Sequence, residues 1–365
     1  MKKENSNKNI VIVTGGTGGH IYPAITLGEY LSQKYLNVCF ITDYRGLNNK
    51  NLAKLNPALI NVRGLAGKSY LYKFTSLFLI LISFFKSLFL LIKKNTDLVL
   101  GFGSYVQVPV ILAAKVLNVK IILHEANLVL GNANKYLWNF AKVRSAAFSI
   151  LNSSKNFEVV GMPVRSNIKA LSRRIYKAPK KNEKINLLIL GGSLGSLILS
   201  RSLCTQICLL PPEIKQRLHI FHQSKKDDIK YISSQYRNNQ ISSEVKSYFN
   251  NIHKKLYYTT LVICRAGAST ISENLISGLP AIYIPLSNSI DNHQLRNAEM
   301  MKSKNAGRII NENEISNEKF LNLLTDLLNS NSLLEKMSRN CRDISSPDAT
   351  EKLYKLIFGV LNEQL

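Results

Sequence analysis

Asn9-Ile10-Val11-Ile12-Val13-Thr14-Gly15-Gly16-Thr17-Gly18-Gly19-His20 is a short apolar, β-branched run that ends in a glycine-rich loop, and a helical pattern follows over Pro23 to Lys34. Ile185-Asn186-Leu187-Leu188-Ile189-Leu190-Gly191-Gly192-Ser193-Leu194-Gly195-Ser196 repeats the arrangement in the second half of the chain. Each reads as strand, glycine loop and helix, the opening of a Rossmann-like parallel sheet. Further buried-strand candidates alternate with helical stretches. In the first half these are Asn37 to Thr42, Leu98 to Gly101 and Ile121 to His124; in the second they are His219 to Gln223, Leu261 to Cys264 and Ala281 to Ile284. Such alternation predicts an α/β fold with parallel sheets. Residues 166–184 are polar and basic and contain Pro179, which places the domain junction near Arg165.

At 365 residues, 45% of them hydrophobic, the chain is long enough for two domains with a core each. Its five cysteines, Cys39, Cys204, Cys208, Cys264 and Cys341, form no C-x-x-C pair and have no histidine at zinc spacing. That pattern predicts a reducing compartment and no structural metal. The N-terminal stretch MKKENSNKNI lacks the apolar segment of a signal peptide, so a cytoplasmic location is expected. A net charge of +25 suits nucleic acid, anionic lipid or phosphorylated small molecules. No helix-turn-helix, zinc finger or aromatic RNA-binding motif is present, and nucleic acid is not an expected partner.

A glycine loop between strand and helix lets backbone N–H groups approach a phosphate, with the helix dipole favouring negative charge. Neither loop has the G-x-G-x-x-G spacing and no G-x-x-x-x-G-K-[ST] occurs, which argues against dinucleotide oxidoreductases and P-loop ATPases. The alternative for each loop is a tight turn without a ligand. His20 reads either as a general base or as a hydrogen-bonded core residue. Glu273 reads either as a bidentate ribose ligand or as the closing residue of a capping box, Thr270-Ile271-Ser272-Glu273. His219, His222, His253 and His293 show no metal spacing. Leu71 to Ile92 is nearly all apolar, with Lys73 and Lys86 inside it and Lys93-Lys94 after it. Core helix, membrane span and interfacial helix are the three readings, and the bracketing lysines favour the interfacial one.

Gly15-Gly16-Thr17-Gly18-Gly19-His20 with Pro23-Ala24 resembles the opening signature of the MurG family of cell-wall UDP-N-acetylglucosamine transferases. Matches continue in the family's order. They are Gly103-Ser104-Tyr105-Val106, His124-Glu125-Ala126-Asn127, Gly161-Met162-Pro163-Val164-Arg165, Gly191-Gly192-Ser193, His222-Gln223-Ser224, Cys264-Arg265-Ala266-Gly267-Ala268 and Asp291-Asn292-His293-Gln294 with Asn297-Ala298. The resemblance implies a GT-B architecture, two Rossmann-like domains facing across a cleft. Residues 1–166 would hold the acceptor and meet the membrane, residues 167–345 would bind the UDP-sugar, and a C-terminal helix in 346–365 would pack back on the first domain.

The same resemblance implies inverting transfer of N-acetylglucosamine from UDP-N-acetylglucosamine to lipid I, an undecaprenyl-linked muramyl-peptide, giving lipid II for peptidoglycan. No cofactor and no essential catalytic metal are implied, in keeping with the lack of an obvious Asp-x-Asp motif. Thr17, Gly18, Gly19, Asn127, Arg165, Ser193, Phe249, Ala268, Ser269, Thr270, Ile271, Ser272, Glu273 and Gln294 fall on the family's donor-contact positions. His20 and Glu125 fall where acceptor-side catalysis is expected. Leu194 and Ser196 stand where the family has Gln and Ala, Lys225 replaces a Gly, Ala126 a Gln and Met162 an Asn. Leu194 removes an amide from the donor side. A peripheral position on the cytoplasmic face of the bacterial inner membrane, held to anionic lipid through residues 71–94, completes the expectation. Another GT-B enzyme, such as a glycolipid synthase or UDP-sugar epimerase, and an inactive membrane-bound scaffold are the alternatives.

Overall fold

A computed structural model of the chain describes residues 8–62, 70–151, 156–191, 197–287, 289 and 292–363. It comprises two compact units, Met1–Arg165 with Pro347–Leu365, and Ser166–Ser346. Among the described residues, the first unit holds strands β1 (Asn9–Val13), β2 (Asn37–Thr42), β3 (Ala58–Leu59), β4 (Leu98–Gly101), β5 (Lys120–Glu125), β6 (Val143–Ala146) and β7 (Glu158–Val159). They lie in the order β3-β2-β1-β4-β5-β6-β7, every pair parallel.

Strand side chains alternate between faces, and both faces of this sheet are covered, which is why β1 is apolar from Ile10 to Val13. Ile10 and Ile12 pack with Ile21, Leu27 and Leu31 of the helix Gly18–Gln33. The same layer includes Leu353, Ile357 and Val360 of the helix Ala349–Leu361. Lys120 Nζ donates to the carbonyls of Val360 (3.0 Å) and Leu361 (3.3 Å), putting a cation at that helix's negative end. On the opposite face Val11 and Val13 pack with Val110, Ala113 and Ala114 of the helix Gln107–Val116 and with Leu91.

Leu91 belongs to the helix Tyr70–Lys93, whose amphipathicity is reversed. Ser76, Ser83, Ser87 and Leu91 are its buried residues from Thr75 onward, while Leu77, Phe78, Leu81, Ile82, Phe85, Phe89 and Ile92 face outward. Small buried residues let it lie close to the helix Gln107–Val116. Ser83 Oγ donates to the Asn61 carbonyl at 2.8 Å and Ser87 Oγ to the Ser83 carbonyl at 2.6 Å. The stretch Thr75–Lys93 is long and apolar enough to cross a membrane by length and composition.

The second unit repeats the plan with β8 (Ile185–Leu190), β9 (Leu218–Gln223), β10 (Ser242–Lys246), β11 (Leu261–Cys264), β12 (Ala281–Tyr283) and β13 (Gly307–Ile309). These run β10-β9-β8-β11-β12-β13, again all parallel. The expected α/β class with two Rossmann-like parallel sheets is observed.

Candidate functional site

In an open parallel sheet, ligands bind beyond the carboxyl ends of the strands where the strand order reverses, here next to β1 in the first unit and β8 in the second. After β1 the chain turns through Gly15 and Gly16, and the helix starts at Gly18, earlier than the periodicity alone indicates. Thr17 is its extended, exposed N-cap and makes no side-chain capping bond. The first turn, with Gly18 and Gly19, has no acidic residue of its own set against the helix's positive end.

The loop after β4 comes alongside. Gly103 has φ +93°, and a Cβ there would stand 3.0 Å from His20 Cε1 and 3.1 Å from Nδ1. Only glycine accepts both that backbone and that contact, and the half-buried imidazole therefore rests against a peptide. Behind it lies His124, fully buried, whose Nδ1 is 3.1 Å from Ser145 Oγ. Ser145 Oγ donates to the Leu123 carbonyl at 3.3 Å, which leaves the hydrogen of that contact on His124 Nδ1. Burial first, and the charge of His20 second, bring the His124 pKa down to about 3, so the ring is neutral. Arg165 lies over the Tyr22 ring, 5.1 Å from its centroid.

Glu125 ends β5 and is buried. Its Oε1 accepts from the Asn127 N–H (2.9 Å) and Asn127 Nδ2 (3.3 Å), and its Oε2 accepts from the Gly131 N–H (2.9 Å) and Asn134 Nδ2 (2.8 Å). Four donors match the roughly four lone-pair directions of a carboxylate. Glu125 thus closes the loop 126–131 upon itself and orients the half-buried Asn127. Gln107 and Asn134, which the motif reading passed over, complete the cluster: Gln107 Oε1 accepts from the Gly103 N–H at 2.9 Å, and its Nε2 donates to Asn134 Oδ1 at 2.6 Å. The sequence signal for Gln107 is polarity at the start of an apolar helical segment, and Asn134, in the polar stretch Asn132-Ala133-Asn134-Lys135, has no such signal.

In the second unit Ser193 and its neighbours Gly192, Leu194, Gly195 and Ser196 lie outside the described residues, as does Asp291, and in the first unit so does the side chain of Lys73. After β11 the helix Ala268–Ser277 begins with Gly267 as N-cap. That overturns the capping-box alternative, because Thr270 and Glu273 stand inside the helix rather than at its entry. Ala268, Ile271 and Ser272 are buried, while Ser269, Thr270 and Glu273 share the half-buried face. Asn297 Nδ2 holds the Ala266 carbonyl at 3.1 Å, and Arg265 donates to the carbonyls of Ile284 (3.2 Å) and Pro285 (3.3 Å) while pairing with Glu312. Gln294 Oε1 accepts from the Leu286 N–H at 3.1 Å, so the same loop is tied twice. Phe249 is buried edge-on to Phe221, 6.4 Å between centroids, with Lys255 Nζ 5.9 Å from its own centroid. Among the described residues no three His, Cys, Asp or Glu gather to hold a metal.

Residues 10–144 match the glycosyltransferase family 28 N-terminal domain and residues 186–353 its C-terminal domain. The chain is 33% identical to the UDP-N-acetylglucosamine--N-acetylmuramyl-(pentapeptide) pyrophosphoryl-undecaprenol N-acetylglucosamine transferase of Francisella tularensis subsp. tularensis strain WY96-3418, covering 98% of this chain and 99% of that one. The enzyme of the same name from Rickettsia bellii strain RML369-C is 35% identical, over 91% and 94% of the two chains. Among solved structures, Acinetobacter baumannii MurG superposes with a TM-score of 0.78 at 27% identity, over 96% of this chain and 99% of that one. The kitacinnamycin glycosyltransferase (TM-score 0.70, 16% identity, 97% and 99% covered) shares the fold alone. Ordered motifs, two matched domains and near-complete coverage agree: the chain is a glycosyltransferase and belongs to the MurG family within glycosyltransferase family 28.

Proposed function

We propose that this enzyme transfers N-acetylglucosamine from UDP-N-acetylglucosamine to the undecaprenyl-linked muramyl-peptide of lipid I, inverting the sugar carbon and using no catalytic metal. The observation that carries the chemistry is the His20 imidazole seated against Gly103 at the strand-order reversal of the first sheet. His20 takes the proton of the acceptor hydroxyl; the oxygen bonds to the anomeric carbon as the carbon–phosphate-oxygen bond breaks, and UDP leaves with that electron pair. Glu125, with its oxygens committed to four donors, orients Asn127 and is not the base. Fixed N–H groups at Thr17, Gly18 and Gly19 and the guanidinium of Arg165 supply positive potential for phosphate. In the second unit Ser193, Phe249, Gln294 and the run Ala268 to Glu273 serve the donor. The buried members of that run offer backbone only, and Glu273 offers its carboxylate to the ribose.

The reversed helix Tyr70–Lys93 supports attachment to anionic lipid on the cytoplasmic face of the membrane. Phe78 and Phe85 are each 60% exposed, with Lys86, Lys93 and Lys94 beside the apolar face. A core role does not account for that face. Packing of Ser83, Ser87 and Leu91 onto the domain holds the helix along the sheet, which supports an interfacial position over a span.

Two substitutions divide the proposal. His20→Ala lowers turnover by roughly 100-fold to 10,000-fold with UDP affinity unchanged. Glu273→Ala weakens UDP binding by about 1–3 kcal/mol without lowering thermal stability. Near-normal turnover of His20→Ala at every pH, or a stability loss without a binding loss for Glu273→Ala, contradicts the respective assignment.

A further inference from the structure

Gln107 is fully buried at the start of a helix whose other inward residues, among them Pro109, Val110, Ile111, Ala113 and Ala114, carry no polar side-chain atom. A buried amide is costly unless both ends are bonded, and the fold alone asks for no amide here. Both ends are used, each on a different loop. Oε1 accepts from the Gly103 N–H, on the peptide that backs the His20 ring. Nε2 donates to Asn134 Oδ1, and Asn134 Nδ2 in turn donates to Glu125 Oε2 at 2.8 Å, while Glu125 Oε1 collects Asn127. The seat is cut for this side chain: a Cβ on Gly101 would stand 2.4 Å from Gln107 Oε1.

The polarity of the chain is fixed from its far end. A carboxylate only accepts, so Asn134 must turn its NH₂ to Glu125 and its oxygen to Gln107. Gln107 must then turn its own oxygen to Gly103. Reversing either amide would set donor against donor or acceptor against acceptor, and the one allowed arrangement runs every N–H toward the negative charge, which strengthens each bond in the series.

We infer that Gln107 and Asn134 are positioning residues for glycosyl transfer, a buried relay that locks the loop after β4 to the loop after β5 and so holds the Gly103 backbone against which His20 is set. The inference rests on the reading of His20 as the base. It predicts that loss of the relay acts through His20, on kcat, and leaves the nucleotide side untouched.

The test is a double-mutant cycle on the full-length enzyme, with a short-chain lipid I analogue and UDP-N-acetylglucosamine, following UDP release. Gln107→Met keeps the volume and removes both bonds; Gln107→Glu keeps the size and the Gly103 contact but removes the donor to Asn134. Each is expected to lower kcat by about 10-fold to 100-fold, with UDP affinity by fluorescence titration within about twofold of wild type. In a His20→Ala background neither should lower kcat further, because the group they position is gone. Two results overturn the relay and leave the base assignment standing: wild-type kcat in both folded Gln107 variants, or the same fold-loss with and without His20. Normal turnover of His20→Ala alone overturns the base assignment and this inference with it.

Discussion

His124 and His222 are each the penultimate residue of a strand, β5 and β9, and each is held neutral inside the protein. His222 Nδ1 is 2.9 Å from the Tyr236 hydroxyl, and burial brings its pKa, like that of His124, down to about 3 from 6.5. Unfolding exposes both rings, so below about pH 6.5 the unfolded chain binds protons that the folded chain refuses. Stability from these groups is therefore complete above that pH and is lost as pH falls toward 3. Each ring contributes a slope of up to about 1.4 kcal/mol per pH unit in that window. Denaturant titrations between pH 7 and 4 should show a shallower loss for His222→Gln than for wild type, and parallel curves would contradict the account. His20, Asn127, Arg165 and Gln294 were legible as candidates because they sit inside motifs of fixed spacing. The roles of single atoms were not. That Glu125 faces a loop with both oxygens, or that Gln107 spans two loops, depends on which residues β4 and β5 bring side by side, and no spacing along the chain records it.

Strands buried on both faces, such as Leu98–Gly101 and Leu261–Cys264, were legible as unbroken apolar runs. The short β3, β6, β7, β10 and β13 were not, because pairing with a neighbour rather than composition makes them strands. β10 reads Ser-Ser-Glu-Val-Lys and has no fully buried residue at the sheet edge. For residues 71–92 the bracketing lysines, the excess of apolar residues and the strand-rich context on both sides pointed to an interface, and the structure adds the direction of each side chain from Thr75 onward. The element-level prediction follows from that direction. Phe78→Ser combined with Phe85→Ser should fold with an unchanged melting temperature, since both rings stand outside the packed layer. It should lose sedimentation with anionic vesicles yet still use a short-chain soluble acceptor. Raised salt should weaken wild-type binding only in part, because screening acts on the lysines and spares the apolar contacts. An unfolded variant, or one that sediments as wild type does, removes the interfacial role.

At the scale of the whole molecule, one topology is used twice. Reading outward from β1 and from β8 gives the same order of neighbours; at the reversal the first unit places a glycine loop and the N-terminus of the helix Gly18–Gln33, and the second the N-terminus of the helix Ala268–Ser277. Two such openings in the sequence were enough to expect two parallel sheets, since a strand, turn and helix of this kind has few other uses. A positive charge of +25 over 365 residues suits the diphosphate donor and pyrophosphate-linked lipid proposed as substrates, and the proposed attachment to an anionic surface. The central claim is the transfer itself, and the most direct measurement follows both products at once. The enzyme is incubated with UDP-N-acetylglucosamine with and without a lipid I analogue, UDP is quantified, and the acceptor is weighed by mass spectrometry. The account predicts UDP release only when acceptor is present, in equal amount to acceptor heavier by one N-acetylhexosamine residue. Conversion of the UDP-sugar to an isomer without acceptor, or no UDP above the enzyme-free control when acceptor is supplied, would contradict it.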